Sequence, residues 1–326
     1  MTTRELLRLL CDGQYHSGEE LGERFGVSRT AIWKHLKKLE QQGIPLEAVR
    51  GRGYRVSSSA SPLEGAAIVN ELDRDARRLL SRLFVEESIP STNALLLDRF
   101  TQGAGHAEVA LAEVQTAGRG RRGRAWSSRW GQGIYLSLGW RFSCGVASLE
   151  GLSLAIGVAI AEVLREIGVP AELKWPNDIL ISCQGEYRKL GGILVEIRGD
   201  VEGPCDVVAG IGLNMDKPDL STIESVQPVA GIRQYNEALG RNVLVAALLN
   251  RLLVMMPLFA QEGFAAWQPR WNEWHAFAGR RVTIHQGEHQ RQGVAGSVDG
   301  SGRLEVAVEG QSEWLMGGEI SVRDTP

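Results

Sequence analysis

Between residues 118 and 124 the chain reads Gly-Arg-Gly-Arg-Arg-Gly-Arg, and no core element can contain that run. Four guanidinium groups cannot be desolvated together, and three glycines weaken both helix and strand. The segment has to be a surface loop, so the folded scaffold must lie on either side of it. An apolar strand candidate, Val109 to Ala112, precedes it, and a Trp-flanked turn, Ala125 to Gly133, follows. A backbone without Cβ atoms that carries so much positive charge suits close approach to two anions that would otherwise repel each other.

Three readings of the loop make different demands on its neighbours. It spells Gly-x-Gly-x-x-Gly, the dinucleotide fingerprint, but Arg fills every variable position and no apolar helix follows. Arg/Gly tails that bind nucleic acid are long and low in complexity, whereas this run is flanked by folded sequence. The preferred reading is a loop that orders over a carboxylate and a phosphate.

At 326 residues the chain has room for two or three domains. Its four cysteines show no disulfide or metal-ligand spacing, and no charged-then-apolar leader opens the sequence. Both observations suggest a reducing cytoplasm. The most apolar helix candidate, Leu149 to Ile167, is interrupted by Glu162 and Arg165 and reads as a buried core helix, not a membrane span. His285 and His289 read as surface residues, and no metal ligand set is assigned.

Charge is unevenly placed. Residues 1–58 hold ten Lys/Arg against seven Asp/Glu, and the remainder 26 against 32. A basic end on an acidic body directs attention to nucleic acid at that end only. There, Leu6 to Leu10 predict a short helix. Ser17 and Glu20 form a capping-box pattern for a second, with Gly26 as its left-handed terminator. Ser28 caps a third whose Ile32, Leu36 and Leu39 face inward, leaving Arg29, Thr30, Trp33, Lys34, Lys37 and Lys38 on the other face. Two short strands, Leu46 to Val49 and Tyr54 to Val56, then flank a tip carrying Arg50 and Arg52. This is a winged helix-turn-helix, with Ser28, Arg29, Thr30, Trp33, Lys34, Lys37, Arg50 and Arg52 as the candidate DNA contacts. Ser57 to Pro62 is a polar linker that ends it.

Residues 63–274 mix strand patterns (Ile134 to Trp140, Ile193 to Ile197, Val207 to Leu213) with helices (Leu149 to Ile167, Val243 to Phe259), which predicts a sheet-centred α/β or α+β domain. Polar groups gather where these elements end: Ser91-Thr92-Asn93, Gln115, Lys174-Trp175-Pro176-Asn177-Asp178, Arg188-Lys189-Leu190-Gly191-Gly192, and Gly210 to Asn214. Together they describe a ligand cleft at strand ends.

That ordered set, with the Gly-Arg-Gly-Arg-Arg-Gly loop after Gln115, Ile193-Leu194 after Gly192, and Gly212-Leu213-Asn214-Met215, resembles the biotin–protein ligases. The N-terminal winged helix and the ending Trp314-Leu315-Met316-Gly317-Gly318-Glu319 make it similar to the bifunctional kind that is also the biotin operon repressor. The resemblance implies an α+β multidomain chain with three parts: a DNA-binding domain (1–58), a biotin/ATP-binding catalytic domain (63–274) and a small SH3-like β-barrel (275–326). It implies that Ser91, Thr92 and Gln115, with Asn93 beside them, meet the ureido head of biotin. Gly118, Arg119, Gly120 and Arg121 would close over its carboxylate and the ATP α-phosphate. Lys189 would bridge those groups next to Gly191 and Gly192, making Lys189, Arg119 and Arg121 the catalytic set. Asn177, Asp178 and Asn214 would serve the nucleotide and its Mg²⁺.

The implied chemistry is attack of the biotin carboxylate on ATP to give biotinyl-5'-AMP and pyrophosphate. Transfer to a lysine of a carboxylase's biotin carboxyl carrier protein follows. Two unit charges about 4 Å apart repel by roughly 4 kcal/mol at an effective dielectric near 20, which the cations oppose. Residues 215–230 hold no aromatic side chain, so cover for the adenine is expected from Val226 and Val229. The implied partners are the carrier protein, operator DNA and a second copy of the chain once adenylate is bound, with no membrane. Two alternatives stay open: a lipoate-type ligase, and a DNA-binding ligand sensor without turnover.

Overall fold

Short amphipathic helices open the chain: α1 (Thr3–Leu10), α2 (Gly18–Phe25) and α3 (Arg29–Gln41). The computed structural model describes residues 3–41, 43–56, 61–218, 227–286, 289–317 and 320–324. The capping box forms as the sequence predicts, with Ser17 Oγ accepting from Glu20 N at 3.1 Å, and Gly26 closes α2 at φ +64°. Leu6, Leu10, Leu21, Ile32, Leu36 and Leu39 make a small buried core. The hairpin of β1 (Leu46–Val49) and β2 (Gly53–Val56) stands beside it. Four residues of the expected linker, 57–60, lie outside the described residues.

The next elements are α4 (Gly65–Asn70), α5 (Arg74–Leu79), β3 (Arg82–Ile89), α6 (Thr92–Thr101), β4 (Glu108–Gln115) and β5 (Gly133–Phe142). They are followed by α7 (Leu152–Glu166), β6 (Ala171–Lys174), β7 (Asp178–Cys183), β8 (Glu186–Gly199), β9 (Cys205–Asn214), α8 (Arg241–Glu262) and α9 (Gln268–Glu273). The strands form one seven-stranded sheet in the order β3-β4-β5-β9-β8-β7-β6. The β3–β4 pair is parallel and every other pair antiparallel. The apolar stretch expected as one helix is divided, because Gly151 at φ +78° separates a single turn, Val146–Leu149, from α7. Two stretches, Val146–Glu166 and Arg241–Glu262, are long and apolar enough to cross a membrane, yet α7 and α8 bury Leu154, Ile156, Ile160, Leu248, Leu252 and Met256 against each other and the sheet.

Strand alternation explains the sheet's two faces. On β9, Val207, Ala209, Ile211 and Leu213 join the α7–α8 core, so Val208, Gly210, Gly212 and Asn214 face the other way. Helix α6 covers only the Val208 end of that second face, packing Leu96, Leu97 and Phe100 there. The remainder is left open as a hollow.

The N-terminal unit is tied to this body. Trp130 packs into the N-terminal core. Arg241, fully buried, pairs with Glu113 at 2.6 Å and donates to Ser61 O at 2.6 Å and Gly133 O at 3.2 Å. A buried guanidinium is tolerated because its donors are matched in this way.

The C-terminal strands are β10 (Arg281–Gln286), β11 (His289–Val298), β12 (Leu304–Val308), β13 (Gln311–Leu315) and β14 (Ile320–Asp324). They form an antiparallel sheet in the order β13-β12-β11-β10-β14. Three of them fall on the short apolar runs Arg281 to Ile284, Gly293 to Val298 and Leu304 to Val308, which read as strands joined by turns in the sequence. Closure into an SH3-like barrel is not seen: among the described residues no β13–β14 pairing joins the edges. Trp175 anchors this sheet, its indole donating to Gly302 O at 3.0 Å, and Asn272 and Gln268 donate to Val298 O.

Candidate functional site

The hollow over β8 and β9 is a cavity of about 980 Å³. Register builds its floor: Gly192 lies opposite Gly212 and Leu194 opposite Gly210, while Ser137 faces Gly210 from β5. The glycines are required by close approach. A Cβ on Gly212 would come within 2.6 Å of the Trp126 indole, and one on Gly210 within 2.3 Å of Asn93 Oδ1.

At one end, Ser91 caps α6 by accepting from Ala94 N at 3.5 Å. Thr92 N donates to Gln115 Oε1 at 2.8 Å, with Thr92 Oγ1 at 3.1 Å from the same oxygen. Gln115 Nε2 has no hydrogen-bond partner among the described residues, so a donor remains for a ligand carbonyl. Asn93 is different. Its Oδ1 accepts from Ser137 Oγ at 2.6 Å, and its Nδ2 donates to Glu196 Oε2 at 2.7 Å and reaches Leu194 O at 3.3 Å. Asn93 lines the cavity but spends its polar atoms on the protein.

The Arg/Gly segment folds back on itself. Gly120 N donates to Arg124 O at 2.8 Å and Trp126 N to Gly118 O at 2.9 Å, with Arg122 at φ +59°. Arg119 Nη2 reaches Glu196 Oε1 at 3.2 Å, and Arg121 Nη1 donates to Asn177 Oδ1 at 3.1 Å. Burial lowers the Arg121 guanidinium from its ordinary range while nearby Asp178 opposes that shift; the group remains charged. Gly118 does not line the cavity: a Cβ there would crowd Trp126 O at 3.0 Å, so its role is local.

Across the cavity, Asp178 accepts from Lys189 and from Lys174, the latter at 3.1 Å. Burial alone would raise this carboxyl; the two ammonium groups override it and bring it down to about 2. Asn214 Nδ2 donates to Lys189 O at 3.3 Å, and Lys189 Nζ lies 5.6 Å from the centre of the Trp126 ring. Gly192 lines the cavity, whereas Gly191 does not; a Cβ on Gly191 would strike Leu213 at 2.5 Å, so it serves strand packing. Among the described residues, no three His, Cys, Asp or Glu side chains converge on a metal position.

The sequence reading missed Trp126, Tyr187 and Phe277 on the cavity wall, and Ser137 and Glu196 behind it. Of the aliphatic pair expected over the adenine, Val229 lines the cavity and Val226 lies outside the described residues. Trp126 supplies an aromatic wall from a different segment. Only its position beside the Arg run hinted at that.

On the N-terminal unit, Arg29, Thr30, Trp33, Lys34 and Lys37 form one exposed face of α3, with Trp33 52% exposed. Ser28 Oγ is occupied as an N-cap, accepting from Ala31 N at 3.2 Å. Lys37 also bonds Glu40 at 2.6 Å. Arg50 and Arg52 are exposed at the hairpin tip, Arg52 lying over the Tyr15 ring at 4.5 Å.

Comparisons with known proteins match these two regions. Residues 85–214 match the biotin/lipoate A/B protein ligase family and residues 2–55 an HTH domain. The bifunctional ligase/repressor BirA of Salmonella typhimurium is 38% identical over 319 residues, covering 98% of this chain and 96% of that protein. BirA of Escherichia coli is 38% identical over 320 residues, with the same coverage. In fold, the chain is similar to the Aquifex aeolicus biotin protein ligase solved with biotin and ATP. The TM-score is 0.64 at 24% identity, over 76% of this chain and 100% of that one.

Proposed function

This chain belongs to the bifunctional ligase/repressor BirA family, and on that premise we propose that it is an ATP-dependent biotin–protein ligase that also represses transcription in response to biotin. The observation that carries the reading is the meeting of Arg119, Gly120, Arg121 and Lys189 in the one cavity that also holds Ser91, Thr92 and Gln115. A polar head at one end and an acid group at the other match the shape of biotin. The remaining volume extends toward Asn177, Asp178 and Val229, where a nucleotide fits.

In the first step Ser91, Thr92 and Gln115 hold the ureido ring. Arg119, Arg121 and Lys189 screen the biotin carboxylate from the α-phosphate it attacks and stabilise charge as pyrophosphate leaves. Lys189 leaves Asp178 to do so, with Lys174 keeping that carboxylate paired. Asn177 and Asp178 would offer oxygen donors to Mg²⁺ brought by the polyphosphate, and the ion would supply charge neutralisation there. Trp126 and the Arg loop exclude water from the mixed anhydride. In the second step a carrier-protein lysine attacks the acyl carbon and AMP departs.

Residues 1–58 are the operator-binding domain, residues 63–274 the catalytic domain and residues 275–326 an SH3-like module. Adenylate orders the Arg loop, which permits dimerisation, and the dimer spans two half-sites. Carrier and operator place the protein in the cytoplasm. The test is mass spectrometry of protein incubated with biotin, ATP and Mg²⁺. Retained biotinyl-adenylate is expected, with none when lipoate replaces biotin; an empty protein in both cases overturns the reading.

A further inference from the structure

A chain of polar side chains runs behind the cavity wall from one end to the other. Gln115 Oε1 holds Thr92, whose Oγ1 lies 2.7 Å from Ser137 Oγ. Ser137 meets Asn93 at 2.6 Å, and Asn93 meets Glu196 Oε2 at 2.7 Å. The other oxygen of Glu196 accepts from Arg119 Nη2 at 3.2 Å. Ser137 and Asn93 are buried, at 0% and 4% exposure, and the missing Cβ of Gly210 makes the space that Asn93 occupies. Glu196 is therefore held by a fixed partner on one side, while the side chain on its other side, Arg119, is 52% exposed.

We infer that Glu196 is a positioning residue for Arg119. It aims the guanidinium across the cavity before the acid group arrives. This rests on the ligase reading above. A free arginine loses rotamer entropy when it clamps a ligand, and an arginine already held on an anchored carboxylate loses less. The planar fork has five N–H donors, so one edge can keep Glu196 while the other takes the ligand carboxylate. Glu196 thus links the residues that read the ring to a residue that reads the acid, and so registers the length of the ligand between them.

Glu196→Gln tests this, because the amide oxygen can still accept from Asn93 but no longer carries charge for Arg119. Biotin affinity by calorimetry and KM for biotin in pyrophosphate exchange should both weaken roughly two- to five-fold, the range of an exposed ion pair. The kcat should change little, and Glu196→Gln should have no further effect in an Arg119→Ala background. Unchanged affinity, tighter binding, or an equal effect in both backgrounds would each overturn the inference, the last by showing that Glu196 acts only through Asn93. If the parent protein exchanges no pyrophosphate, the ligase reading fails; if it does and the variant matches it, only this inference fails.

Discussion

Replacing Lys189 by Ala should remove most adenylate synthesis while leaving the fold intact, and the geometry around Asp178 says why. That carboxyl lies near 2 against an ordinary 3.8. At 1.36 kcal/mol per pKa unit, the two lysines, net of the opposing burial, stabilise its ionised form in the fold by roughly 2 kcal/mol. The sign follows: a depressed carboxylate contributes fully above its unfolded pKa near 4, and the contribution is lost as pH falls toward 2. In Lys189→Ala, Lys174 still holds Asp178 at 3.1 Å, so roughly half of that stabilisation, about 1 kcal/mol, should disappear at pH 7. Asp178→Asn instead leaves two ammonium groups facing a neutral amide, with Lys174 only 8% exposed, and should cost about 3 kcal/mol or more. Guanidinium unfolding curves measure the two costs, and pyrophosphate exchange measures the chemistry, which should fall at least about a hundred-fold in Lys189→Ala. An Ala variant as unstable as the Asn variant, or one exchanging at the parent rate, would refute the reasoning.

Other outcomes follow from the same geometry. Burial pushes the His275 imidazole down to about 4, so its neutral form stabilises the fold. That contribution is complete above the unfolded value near 6.5 and lost as pH falls through 4, up to about 3 kcal/mol. Urea unfolding from pH 7 to pH 4 should lose this slope in His275→Gln, and an unaltered slope would count against it. His16 has the opposite sign: burial works against its charge, but Glu20 and Asp12 raise its pKa, so its contribution declines as pH rises through that value. Gly212→Ala places a methyl against the Trp126 indole and should weaken adenylate binding roughly ten-fold; calorimetry showing parent affinity would dispose of this floor-of-the-cavity argument. Lys34→Ala should weaken DNA binding for all sequences and lower the salt slope by about 1, and anisotropy titrations at several salt concentrations with an unchanged slope would remove Lys34 from the interface.

Much of the helix-turn-helix was legible because local rules decide it. Ser17, Gly26 and Ser28 fix helix ends through bonds spanning only a few residues, and the inward face of α3 follows from the period of its apolar side chains. Strands β5, β8 and β9 were also readable from their apolar and β-branched runs. The division before α7 was not, because a single left-handed glycine inside an apolar stretch leaves hydropathy unchanged.

The sequence alone established that an Arg/Gly loop, a Ser-Thr-Asn cap and Gln115 sit at element ends; Lys189, expected at one as well, lies inside β8 because that strand starts at Glu186, well before the β-branched run that signals it. Which of them share a wall was decided by register, which sets Gly192 against Gly212 and Leu194 against Gly210. Register also separated the glycines that shape the cavity from Gly191, whose neighbour is Leu213. Likewise, the sequence places Trp126, Ser137 and Glu196 far apart, and only packing of the Arg loop over the open face of the sheet brings them to one site. Long-range pairing depends on which surfaces can be buried together, and no local pattern records that.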